Sequence, residues 1–126
     1  MLRDEKDQLL ALFDAPKRWC RDVEACDAKG EPVSYDDITA VAWDITGALC
    51  HLFGWNRACE LFGQIARQIK PATRRQAWES RDPSIEAMRT LQEFNDKEGM
   101  TFERLRTTLE ALPIWSAGRR VEHGAG

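Results

Sequence analysis

The chain has 126 residues, 43% hydrophobic and 31% charged, which is the size and balance of one folded domain rather than a disordered segment. Its net charge of −3 offers no whole-chain attraction for nucleic acid. No apolar run approaches the roughly 18 residues of a membrane span, and Met1-Leu2-Arg3-Asp4-Glu5-Lys6 lacks the basic-then-apolar order of an export signal, so a cytoplasmic protein is expected.

Residues 3–13 read as a helix. Leu9, Leu10 and Phe13 share a face with Leu2, the Lys6 stem lies between them, and Pro16 ends the element. From 17 to 33 the helical period breaks. Trp19, Arg21, Val23 and Ala25 alternate with Cys20, Asp22, Glu24 and Cys26. Asp27-Ala28-Lys29-Gly30 has turn chemistry and Glu31-Pro32-Val33 returns from it, which predicts a small β-hairpin-like insertion at 19–33. Pro32 removes a ladder donor and makes it edge-like.

Residues 36–53 read as the central helix, bounded as 38–53, with Ser34 as N-cap and Asp36 and Asp37 in its first turn. Ile38, Val41, Ala42, Ile45, Leu49, Leu52 and Phe53 form one apolar face, and Ala40, Trp43, Gly47 and Cys50 form another. Only the stripe Asp37, Asp44 and His51 is polar, so neighbours are expected on both sides. Gly47 costs about 1 kcal/mol in helix propensity against alanine, and close approach of another backbone is the expected compensation. Gly54 ends this helix.

Residues 55–69 form the next helix, packed against the previous one as an antiparallel hairpin. Trp55, Ala58, Cys59, Phe62, Ile65, Ala66 and Ile69 lie on its apolar face, opposite Arg57, Glu60, Gln64, Arg67 and Gln68. An irregular connection covers 70–82. Asp82-Pro83 then starts a helix with Ile85, Met88, Leu91 and Phe94 inward, reaching about Asn95. A turn spans 95–99, and Thr101 caps a last helix carrying Phe102, Leu105, Leu109 and Leu112 before Pro113. The expected fold is mainly α: a compact bundle of four to five helices in one domain, 1–115, with a flexible tail at 116–126.

Without an export signal, Cys20, Cys26, Cys50 and Cys59 are expected as free thiols, with Cys50 and Cys59 as small core residues. Cys20-x5-Cys26 and the adjacent Cys50-His51 do not have zinc-ligand spacing, so neither a metal nor a cofactor is expected. Phosphate-loop, dinucleotide-binding, zinc-protease and nucleophile-elbow motifs are missing from the sequence.

Several of these residues recur together in a known pattern. Trp19, Asp27-Ala28-Lys29-Gly30 with Val33, Ala42-Trp43-Asp44-Ile45-Thr46-Gly47-Ala48-Leu49, Ile85, Phe94-Asn95-Asp96, and Gly99 with Thr101 resemble a family of small, mainly helical bacterial and bacteriophage proteins of unknown function. The family pattern is an early Trp, a D-x-x-G turn, a W-(D/C)-x-x-G-A-L helix and a late (W/F)-N-D turn, matched over about residues 5–112. Phe94 stands where the family usually has Trp, and Met100 where it often has Arg. The resemblance implies a fold and transfers no activity.

Charge is uneven: residues 1–44 carry 11 acids and 6 bases, 45–81 carry 2 and 6, and 82–126 carry 8 and 6. Arg67, Lys70, Arg74, Arg75 and Arg81 with Trp78 are the candidate partner-binding surface, since arginine beside an aromatic is hot-spot composition. A solvated helix end is the bland alternative. Asp44 and His51, with Asn95 and Asp96, are the alternative ligand site. Asp37, Asp44 and His51 are spaced two helical turns apart, about 10.5 Å, so His51 needs a partner from elsewhere for proton transfer. Asn95 and Asp96 more often shape their own turn. The leading expectation is a non-enzymatic domain docking to a protein partner, with occlusion of a host protein by a phage or mobile-element product as the form the resemblance suggests. A small enzyme or ligand-binding protein using His51 and Asp44 is the alternative, and a weak nucleic-acid binder through 67–81 is the third reading. A homodimer is left open.

Overall fold

The computed structural model describes residues 1–69 and 83–114. In chain order they form α1 (Arg3–Leu12), a 3-10 turn (Pro16–Arg18), β1 (Ala25–Cys26), β2 (Ala42–Trp43), α2 (Ile45–Ile69), α3 (Pro83–Asp96) and α4 (Phe102–Glu110). The architecture is the expected one, a helical bundle with a small two-stranded antiparallel sheet as an insertion. No helix among the described residues is long and apolar enough to cross a membrane. The expected connection 70–82, the expected cap Asp82, Trp115 and the expected tail 116–126 lie outside the described residues.

The start of α2 anchors the core. Every residue from 42 to 50 is buried, on all sides of the chain. Ile45, Leu49, Leu61, Phe62, Ile65, Leu91, Leu105, Leu109, Leu9 and Phe13 meet around it at 0–1% exposure. At Gly54 the backbone leaves the helical region (φ 81°, ψ 164°), a conformation open to glycine and costly for other residues, and α2 kinks there. Past the kink, Ala58, Leu61, Phe62, Ile65 and Ala66 are buried, as the 55–69 periodicity predicts, and α3 packs along α2. Trp55 departs from that pattern: it is 47% exposed and meets Phe62 in a T-shaped arrangement, with ring centroids 6.1 Å apart.

The central helix begins seven residues later than the expected 38–53. Ala42–Trp43 is strand, paired antiparallel with Ala25–Cys26. Asp44, not Ser34, is the helix cap. Its carbonyl accepts from the Ala48 N–H at 2.9 Å, and its Oδ1 accepts from the Gly47 N–H at 2.6 Å and the Thr46 hydroxyl at 2.8 Å. Ile38, assigned to the core by its spacing, is 95% exposed. The hairpin turn itself is where the sequence places it: the Gly30 N–H donates to the Asp27 carbonyl at 2.9 Å and the Val33 N–H to that of Ala25 at 3.0 Å. The strand then gains its main partner from residues that the helical period had claimed. β2 lies between two neighbours, because Trp19 bridges Trp43 on its other edge.

The C-termini of α1, α3 and α4 end on cations from elsewhere in the chain. Lys6 on α1 donates to the Glu110 carbonyl and, at 2.8 Å, to that of Leu112, closing α4. Arg106 on α4 donates to the Leu10 carbonyl at 2.8 Å and to that of Phe13, closing α1. Arg21 donates to the Asp96 and Lys97 carbonyls at 2.7 and 2.6 Å, closing α3. Each satisfies carbonyls that a helix end leaves unpaired and complements its dipole.

Glu5 ties α1 to the second arm of α2. Its carboxylate accepts a two-pronged contact from Arg57, 2.6 Å from Nε and 2.7 Å from Nη2, and accepts from the Leu2 N–H at 3.0 Å. The Arg57 guanidinium holds the Glu5 carboxyl below its usual range. A lowered folded pKa contributes stability above the unfolded value and loses it as pH falls through the folded one. Glu5→Gln is expected to cost about 1–3 kcal/mol at pH 7. Denaturation of both proteins should converge toward low pH, and a constant difference across pH would show that charge is not what Glu5 contributes.

Candidate functional site

The residues proposed as an alternative ligand site fall into two places. Asp44, Asn95 and Asp96 meet at the start of α2, where the last turn of α3 and the segment 19–24 converge. Asn95 is fully buried and uses its whole amide. Its Oδ1 accepts from Trp19 Nε1 at 2.7 Å and from the Ile45 N–H at 3.3 Å, while its Nδ2 donates to the Cys20 carbonyl at 3.1 Å and to Asp96 Oδ1 at 2.8 Å. Asp96 Oδ1 also accepts from the Asp22 N–H at 2.9 Å. These bonds join three stretches of chain and are spent on structure.

Asp44 is 2% exposed and its capping oxygen is taken. Burial pushes its carboxyl up to about 6, against the pull of the Gly47 and Thr46 hydrogen bonds, and the nearby charges of Asp96 and Glu24 add to the rise. A raised folded pKa means that the native state holds the proton more tightly than the unfolded chain. Stability from this group is therefore full below about pH 4 and falls as pH rises toward 6, on the order of 3 kcal/mol in all. Asp44→Asn keeps the capping oxygen and removes the titration. It is expected to match the parent near pH 4 and to be more stable at pH 7. A variant less stable than the parent at pH 7 would show that the ionised carboxylate is needed.

His51 stands apart. It is exposed and stacks on the buried Trp43 ring at a centroid distance of 4.6 Å and 27° between planes. No hydrogen bond joins it to Asp44, Asn95 or Asp96. Acid–base work by a pair needs hydrogen-bond reach, which this arrangement does not supply. Among the described residues, no three His, Cys, Asp or Glu side chains gather as metal ligands. All four cysteines are free, and burial pushes the Cys50 thiol up to about 12.

Of the candidate partner-binding residues, Arg67 lies on the exposed side of α2. Lys70, Arg74, Arg75, Trp78 and Arg81 lie outside the described residues.

The surface feature that sequence periodicity misplaced is the loop from Ser34 to Val41. Two successive turns build it: the Asp37 N–H donates to the Ser34 carbonyl, and the Ala40 N–H to the Asp37 carbonyl, both at 3.0 Å. Asp37 Oδ1 accepts from the Thr39 N–H at 2.8 Å and from its hydroxyl at 2.6 Å, an Asx turn that holds the Asp37 carboxyl below its usual range. The loop is tied down by the Tyr35 N–H donating to Glu24 at 2.8 Å and by Trp43 Nε1 donating to the Tyr35 carbonyl at 3.0 Å. Ile38 is thereby held out in water at the tip of a braced turn. A shallow groove of about 540 Å³ along Val23, Pro32 and Val33 reaches Ser34, where the loop begins. From Asp22 to Asp44 the chain carries seven carboxylates and one lysine, so this region is acidic.

Comparison with family models, with characterised proteins and with solved structures finds no match to this chain.

Proposed function

We propose that this protein is a non-enzymatic interaction domain that docks to a protein partner. The supporting observation is the presentation of Ile38. Burying an isoleucine gains about 1.5–3 kcal/mol, and here a preorganised loop forgoes that gain in the free protein. A rigid apolar tip loses little conformational freedom when a partner covers it. The acidic surround favours a partner with a basic rim and disfavours nucleic acid. The basic segment with Arg74, Arg75 and Trp78 is a second contact face within the same proposal. The resemblance to small bacterial and phage proteins extends the proposal to occlusion of a host protein in the cytoplasm.

The test places a photo-crosslinking amino acid at position 38 and at position 78 in living cells, identifies the adduct, and measures binding of the purified partner. Ile38→Asp is expected to weaken that binding at least tenfold, the loss of about 1.4 kcal/mol or more that marks an anchor residue. A substitution of Arg74, Arg75 and Trp78 together reports on the second face. If neither position yields a specific adduct, the docking proposal falls. Unchanged binding by both variants would have the same consequence.

A further inference from the structure

A second feature carries an inference independent of the docking reading. Where the 3-10 turn passes the hairpin, a groove of about 470 Å³ opens between a wall of Lys17, Arg18 and Trp19 and one of Cys26, Asp27, Ala28 and Gly30, with Val41 and Ala42 between them. That volume is in the range of small-molecule sites. Its charges are arranged in order. Lys17 is exposed and has no ion-pair partner among the described residues, and Arg18 makes a single long contact, 3.4 Å, to the Val41 carbonyl. On the opposite wall, Asp27 turns its Oδ1 into its own turn, accepting from the Lys29 and Glu31 N–H groups at 2.9 and 3.0 Å. One rim is thus cationic with donors to spare, the other carries a carboxylate, and the residues between them are apolar.

From this we infer that the groove is a binding site for a small amphiphile with an anionic head and an apolar or aromatic body. The head lies at Lys17 and Arg18, where charge-assisted hydrogen bonds are available, and away from Asp27. The body lies on Val41, Ala42 and the Trp19 side, and passes the half-buried Cys26. None of Asp44, His51, Asn95 or Asp96 lines this groove, so it is distinct from the ligand site that the sequence suggests.

The test titrates the full chain, labelled with nitrogen-15, with 3-phenylpropanoate, its neutral amide and inorganic phosphate. The carboxylate is expected to shift the amides of residues 17–19, 26–30 and 41–42 saturably. The neutral amide should bind about tenfold more weakly, the loss of one charge-assisted contact. Phosphate alone, without a body, should also bind more weakly. Lys17→Glu should weaken the carboxylate by about fivefold or more with the rest of the spectrum unchanged, since the side chain is exposed. Bound carboxylate should also slow alkylation of Cys26 and leave Cys59 unaffected. Equal binding of acid and amide, equal binding of phosphate and acid, shifts scattered outside the groove, no saturable shift, or an indifferent Lys17→Glu variant would each overturn the inference.

Discussion

Gly47→Ala is expected to destabilise the protein by about 4 kcal/mol, although alanine is the better helix former by about 1 kcal/mol. A Cβ at position 47 would lie 2.0 Å from the Glu24 carbonyl oxygen and 2.9 Å from its carbon. That neighbour is backbone, and it is fixed. The same carbonyl accepts from the Asp44 N–H at 3.1 Å, the next residue is held by the Ala25–Trp43 pairing, and two residues earlier the chain is held by the Asp22–Asp96 bond. Relief therefore means moving the strand off the helix start and loosening the Asp44 cap. Denaturant titration should show the midpoint falling at unchanged slope, with a melting temperature lower by roughly 10–15 °C. Gly63→Ala in the same helix is the control. Its Cβ would meet only the Arg67 guanidinium, 3.7 Å away, so up to about 1 kcal/mol of stabilisation is expected. If both substitutions shift stability alike, propensity governs position 47 and the close approach does not.

Asn95→Ala is expected to cost about 3–5 kcal/mol. It leaves Trp19 Nε1, the Ile45 N–H and the Cys20 carbonyl without their partner, and each such orphan costs about 1–3 kcal/mol. Asn95→Asp separates hydrogen bonding from packing. It keeps the shape and the acceptor, replaces the two N–H donors by a single O–H when protonated and by none when ionised, and sets a new carboxyl beside Asp96 and near Asp44. Burial and like charge would keep that group protonated when folded, so the variant should lose stability as pH rises, whereas the alanine variant should show the parent's pH dependence. Denaturation at pH 5 and pH 8 reads the difference. A pH-independent penalty for Asn95→Asp would show that the amide's donors, and not the electrostatics of this cluster, dominate.

Both predictions show where sequence reasoning reaches and where it stops. Gly47 was legible because a glycine inside a strongly apolar helix needs a compensating contact, and crowding by another backbone is the simplest one. The identity of that backbone, Glu24, was not legible, because nothing local specifies it. Asn95 was legible as a structural residue, yet apart from its neighbour Asp96 its partners are not in its own turn: Ile45 is 50 positions away and Cys20 is 75. Ile38 was misplaced for a definite reason. Ile38, Val41, Ala42 and Ile45 keep a helical spacing by coincidence, and Ser34 with two following acids imitates a helix start. The competing start, Asp44 with Thr46 and Gly47, prevails because it buries Trp43 in the sheet. The signal was present in Asp44 itself, read as one of a polar stripe when its place before Ile45-Thr46-Gly47 suits a cap. The groove at Lys17 and Arg18 could not be read at all, since its walls come from three separate stretches of chain.

The exchange of cations between helix ends bears on how the molecule comes apart. Lys6 closes α4 and Arg106 closes α1, so fraying of either helix withdraws the group that terminates the other. Arg21 extends the dependence to α3 from a segment that also pairs beside β2. Opening of α1 and opening of α4 are thereby linked. Amide hydrogens in α1 and α4 should exchange with solvent at one common free energy, through a single concerted opening, and not in the graded order typical of helices that end on their own turns.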